Sequence, residues 1–160
     1  MNALQFPSLT LSTSKAGLSA GTTSTLSTAN TAQYMIRGKA YTKAAVTNAA
    51  TPVVDATTGL AFPAVPVNAG CAILIGLDAA GAFKVSQGPA QALDNAGNFV
   101  LAPQFPITPD SVCPVSYLVV KVGATGAAWT FGTSNLAGPP TGTSLSFVDL
   151  GTLPDRPQIA

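Results

Sequence analysis

Few residues in this chain could do chemistry, and two of them come in matching surroundings. Leu77-Asp78-Ala79-Ala80-Gly81-Ala82-Phe83 returns sixteen positions later as Leu93-Asp94-Asn95-Ala96-Gly97-Asn98-Phe99. An aspartate ahead of a glycine, twice, could begin a calcium site. Such a site takes about six to eight oxygens, several of them carboxylates at alternating positions. The first copy offers one carboxylate followed by Ala, Ala, Gly and Ala, and the second adds only Asn95 and Asn98. A turn uses the same spacing better. The Asp side chain bonds backbone just ahead of it, and Gly accepts the left-handed conformation. Leu and Phe then stand on the two strands of a hairpin. The repeat predicts two turns of one design, with no metal and no cofactor.

Nucleophilic chemistry finds equally little to work with. The chain has no His and no Glu, so the commonest general base is missing. Asp110, Ser111 and Cys113 lie together in "PDSVCP", but Pro106, Pro109 and Pro114 make that stretch a stiff connector. Nothing cationic stands beside Cys113 to activate its thiol. No phosphate-cradling glycine loop, zinc spacing or carboxylate pair is present. The chain reads as a non-enzyme, with no catalytic, cofactor or metal residues and no small-molecule ligand expected. Trp129 and Phe131 alternate and so share one face of a strand, with Phe147 in the next. They suit the packed side of a sandwich, or else a carbohydrate platform.

Charge is unusually sparse. Lys, Arg and Asp together make up 8% of the 160 residues, where about 25% is ordinary. The net charge is +1, which argues against the clustered basic surface that nucleic acid requires. Solubility usually rests on a charged surface. A neutral one suits a molecule covered by other protein copies. The densest apolar run, Cys71 to Leu77, is too short to span a membrane, and "MNALQFPSLTLSTSK" lacks the basic and apolar regions of a signal peptide. Synthesis in a cytoplasm follows, and there the only two cysteines, Cys71 and Cys113, should remain free and buried.

Elements that could position these residues are strands. "QYMIRGKAYTKAAV", "CAILIGL", "AFKVSQ", "NFVLAPQ", "PVSYLVVKV", "AAWTFGT" and "SLSFVDL" carry β-branched and aromatic residues between turn signals. Pro103 puts "NFVLAPQ" at an edge. "AAWTFGT" is expected to pair with "PVSYLVVKV" across Gly123 to Gly126. Helix formers are scarce, and thirteen Pro and fifteen Gly interrupt the chain; a short helix in "AAVTNAA" is the one place left for one. The fold class is all-β, a single antiparallel sandwich, jelly roll or barrel of about seven to nine short strands. Residues 1–32, rich in Ser, Thr and Ala, read as an extended N-terminal arm, 33–150 as the β-domain, and 151–160 as an extended tail. Candidate contact residues are Leu9 and Leu11 in the arm. In the tail they are Leu153, Pro154, Asp155, Arg156 and Pro157, where flanking prolines fix an extended path.

Three stretches, "TNAATPVVDATTGLAFPAV", "ALDNAGNFVLAPQFP…PDSVCPVSYLVVKVGATGAAWTFGTSN" and "FVDLGTLPDRPQ", together resemble small virion structural proteins of tailed bacteriophages. The resemblance rests on texture across most of the chain after Thr47, and it transfers no individual binding residue. It implies a capsid decoration, or cement, protein on the virion surface. Such a protein is β-rich, commonly a homotrimer, and binds where major capsid protein subunits meet. Rival expectations are a tail-fibre module that reads host glycans through Trp129, and a pilus-type subunit with a Cys71–Cys113 disulfide.

Overall fold

A computed structural model describes residues 9–151. Among them there is no helix, and "AAVTNAA" is irregular apart from the short strand at its end. Eleven strands form three antiparallel sheets: β1 (Leu11–Ser12), β2 (Leu18–Ala20), β3 (Thr25–Thr28), β4 (Ala32–Ile36), β5 (Lys39–Lys43), β6 (Ala49–Ala50), β7 (Ala69–Leu77), β8 (Phe83–Gln87), β9 (Gln91–Ala92), β10 (Cys113–Val122) and β11 (Thr143–Asp149). The number exceeds the expected seven to nine because several are only two or three residues long. The sheets do not close into a barrel, and the architecture is that of a sandwich.

The largest sheet runs β11-β10-β7-β8, with β9 on the end of β7. All nine residues of β7 are buried, as its unbroken apolar run requires of a central strand. Each Ile or Leu so buried contributes about 1.5–3 kcal/mol, so this strand and β10 anchor the fold. Alternation then sorts their side chains. Cys71, Ile73 and Ile75 join Leu118, Val120 and Val122 on one face, packed with Phe62, Val65, Trp129 and Phe131. Leu74, Tyr117 and Val119 turn to the other face. A register shift between Pro114 and Ser116 moves Val115 away from Tyr117 and Val119, into a separate cluster with Tyr34, Ile36, Leu77 and Cys113.

Three expectations change. "AAWTFGT" does not pair with β10, whose two sides are taken by β7 and β11; Trp129 instead makes a bridge to Val65. Gly123 still turns the chain, but its amide bonds Gly142. "NFVLAPQ" forms no strand beyond a bridge between Leu93 and Phe99. It becomes an irregular strap over the second face of the large sheet, where Phe99 and Phe105 pack on the cluster of Leu74, Tyr117 and Val119. Phe105 meets Tyr117 edge to face at 5.0 Å. The proline that suggested an edge strand thus belongs to a segment without a ladder. Finally, the described part of the expected arm, residues 9–32, is built into the sheets. It contributes β1 to β3, and its isolated leucines Leu18 and Leu26 sit in the main core, which is why they are there.

Candidate functional site

The duplicated turns are the same object. Asp78 Oδ1 accepts the amides of Ala80 and Ala82, each at 2.9 Å, and Asp94 Oδ1 accepts those of Ala96 and Asn98, each at 2.8 Å. Gly81 bonds back to the Asp78 carbonyl and Gly97 to that of Asp94, with φ of 75° and 80°. The residues flanking each turn, Leu77 with Phe83 and Leu93 with Phe99, face one another across the hairpin. Their inward carboxylate oxygens are therefore occupied by backbone.

A third aspartate does the same with one residue more, and sequence reading passed over it. Asp55 is buried. Its Oδ1 accepts the amides of Thr57 and Thr58, and Gly59, at φ 70°, bonds its carbonyl. Unlike the other two, Asp55 also bonds main chain outside its own turn, because Oδ2 accepts the Gln87 amide of β8 at 2.7 Å. That bond fixes the loop 53–61 against the large sheet. The signal was present in Asp55-Ala56-Thr57-Thr58-Gly59, an aspartate followed by glycine at four positions instead of three.

Beside this tie lies a cleft of about 350 Å³. It is lined by Asp55, Thr57 and Thr58 of the loop, by Gln87 and Pro89, and by the strap from Gln104 to Ile107. Thr57 Oγ1 closes one end, bonding the Ile107 carbonyl at 2.6 Å and lying 2.9 Å from Ser86 Oγ. Ile107 of the strap is 82% exposed, and the loop 53–61 that carries Asp55 also exposes Val53, Val54 and Leu60, the last at 69%. No Lys or Arg lines the cleft.

Charges gather elsewhere and are engaged within the molecule. Lys84 lies 3.7 Å from Asp78, Arg37 lies 3.5 Å from Asp110, and Lys39, Lys43 and Lys121 stand over Tyr41, Phe83 and Phe99. Asp110 and Ser111 are exposed, whereas Cys113 is wholly buried, so "PDSVCP" does not gather into a site. Burial pushes the Cys113 thiol up to about 11 and the Cys71 thiol up to about 12. Both thiols are free. Across β7 and β10 Cys113 faces Leu77, whereas Cys71 faces Val120, an offset of six positions, or roughly 20 Å at about 3.3 Å per residue. The disulfide that a pilus-type subunit would want is out of reach.

Of the contact residues expected in the arm, Leu9 is 39% exposed, with its carbonyl accepting the Gly38 amide, and Leu11 pairs with Met35 on β4. Leu153, Pro154, Asp155, Arg156 and Pro157 lie outside the described residues. Trp129 is wholly buried beside Phe131, at 6.1 Å between rings, so the aromatic alternation built core and no glycan platform. Among the described residues no group of His, Cys, Asp or Glu is arranged to hold a metal, and no helix is long and apolar enough to cross a membrane. Compared with known protein families, curated proteins and solved structures, the chain finds no match in any of the three.

Proposed function

We propose that this chain is a structural protein that decorates and stabilises a bacteriophage capsid by bridging major capsid protein subunits. The observation that carries the reading is a set of exposed large apolar side chains, Val53, Val54 and Leu60 on the loop that Asp55 ties to the large sheet and Ile107 on the strap that this loop bonds through Thr57. Large apolar side chains exposed on braced loops suit burial against another protein. The resemblance of the sequence to tailed-phage virion proteins supplies the partner. The mechanism is mass action. A protein that binds only the assembled shell stabilises that state, and many copies acting together add small increments.

The tail-fibre reading loses its proposed sugar contact, since Trp129 is inside, and no other observation favours it. The test is direct. Purified protein mixed with expanded capsids should co-sediment and raise their melting temperature. If no binding occurs at micromolar protein, the proposal fails.

A further inference from the structure

Among the described residues the large sheet ends in an open edge at β11. β11 pairs with β10 on one side and, among the described residues, with no strand on the other; β2 meets it through the side chain of Asp149, which accepts the Leu18 amide. Its seven residues, Thr143-Ser144-Leu145-Ser146-Phe147-Val148-Asp149, contain no proline and no lysine, and their register with β10 runs without a bulge. Natural sheets normally blunt an edge with one of these devices, because unpaired main-chain groups are a template for another strand.

Which groups point away from β10 follows from the hydrogen bonds. The Leu150 amide donates to the Val115 carbonyl, Ser116 Oγ donates to the Val148 carbonyl, and the Gly123 amide bonds Gly142 at the far end of the pair. Even-numbered residues of this strand thus turn their main chain toward β10. Alternation leaves the amide and carbonyl of Leu145 and of Phe147 pointing away from it. Both side chains are half-buried, packed on the margin of the main core.

We propose that β11 is a self-association surface, pairing antiparallel with β11 of a second copy about a two-fold axis at Ser146. The strand fits itself in that register. Ser146 faces Ser146, Leu145 faces Phe147 twice, and Ser144 faces Val148 twice. Leu145 and Phe147 exchange the main-chain bonds, since theirs are the groups that point outward. Their side chains, on the core-facing side, continue each apolar layer into the next. The only charge on the strand, Asp149, falls opposite Thr143, so no like charges meet, and its Oδ1 is already held by the Leu18 amide at 3.0 Å. Two five-stranded sheets become one of ten. This assembly is isologous, unlike the trimer implied by the sequence resemblance, and it does not depend on capsid binding.

The register makes the test specific. Ser146 opposes itself at a position without exchanged main-chain bonds, where side chains approach most closely. Ser146→Cys should therefore cross-link two copies under mild oxidation. Ser144→Cys, two residues away and equally exposed, should not, because it faces Val148. Cys71 and Cys113 are buried and do not compete. Size-exclusion chromatography with light scattering should give a dimer whose share grows with concentration, and Ser146→Lys, which sets two ammonium groups face to face, should return it to monomer. A protein that stays monomeric to about 1 mM, the weak end of specific association, overturns the proposal. So does a trimer without the Ser146→Cys cross-link, or cross-linking of Ser144→Cys as readily as of Ser146→Cys.

Discussion

Asp94 accepts amide hydrogens from Asn98 and Ala96, and the bond from Asn98 above all holds its carboxyl below the usual aspartate range. A carboxylate whose folded pKa is depressed stabilises the fold above its unfolded value and loses that contribution as pH falls through the folded one. Asp94→Asn should thus melt below the parent at pH 7. The gap should close as pH drops under 3.8, the unfolded value. A melting series from pH 7 to 2 reads this directly, and a constant gap would contradict it. The thiols run in the opposite sense. Burial raises Cys71 to about 12 and Cys113 to about 11. Their contribution is full below pH 9 and fades as pH climbs through the raised values. Ellman's reagent at pH 8 should find no reactive thiol in native protein and two after denaturation. At this scale the sequence was most readable where a motif repeats. "LDAAGAF" and "LDNAGNF" differ at two positions yet keep Asp, Gly and the flanking Leu and Phe, which are the atoms the turn uses. Asp55 was missed because its one extra residue broke the match, while the bond that matters, to Gln87, is 32 residues away.

Among the elements, strands with their own periodicity could be read and segments placed by others could not. β7 and β10 announce themselves by apolar runs, and simple alternation sorts the side chains of β10 for all but Val115, which the bulge after Pro114 displaces. The strap 99–107 looks like a strand in composition, with Phe99, Val100 and Leu101 in a row. It is held instead by side chains and close backbone approach. A Cβ on Gly88 would run into the Gln104 carbonyl and come within 2.9 Å of that of Ala72. Gly88→Ala therefore forces the strap off the sheet, and overpacking of this kind costs about 1–3 kcal/mol. Urea denaturation should show the midpoint falling accordingly, with more rapid proteolysis between 99 and 107 than in the parent. Trp129 makes the complementary point about pairing. Its alternation with Phe131 was visible, but its partner, Val65, lies in a stretch with no strand signature. Replacing Trp129 with Ala opens a cavity beside Phe131 and should cost about 3–5 kcal/mol. A glycan-binding role would instead predict a stable variant.

For the whole molecule, the scarcity of charge decides what kind of association is available. Five of the seven cations stand against an aspartate or an aromatic ring of the same chain, which leaves little net field to steer a partner. Association must rest on shape and apolar contact, whose strength changes little with ionic strength. The proposed capsid binding should accordingly vary less than about threefold between roughly 50 and 500 mM NaCl, whereas an interface built on several exposed ion pairs would weaken steeply over that range. Leu60→Asp combined with Ile107→Asp should abolish binding. Both side chains are mostly in solvent, so their exchange leaves the melting temperature within a few degrees, as surface substitutions usually stay within about 0.5 kcal/mol. It should also leave the oligomeric state alone, since neither residue lies on β11. The pair of measurements separates the two surfaces: a double variant that still binds capsids moves the docking face away from the cleft, and one that also dissociates the oligomer merges the two surfaces into one.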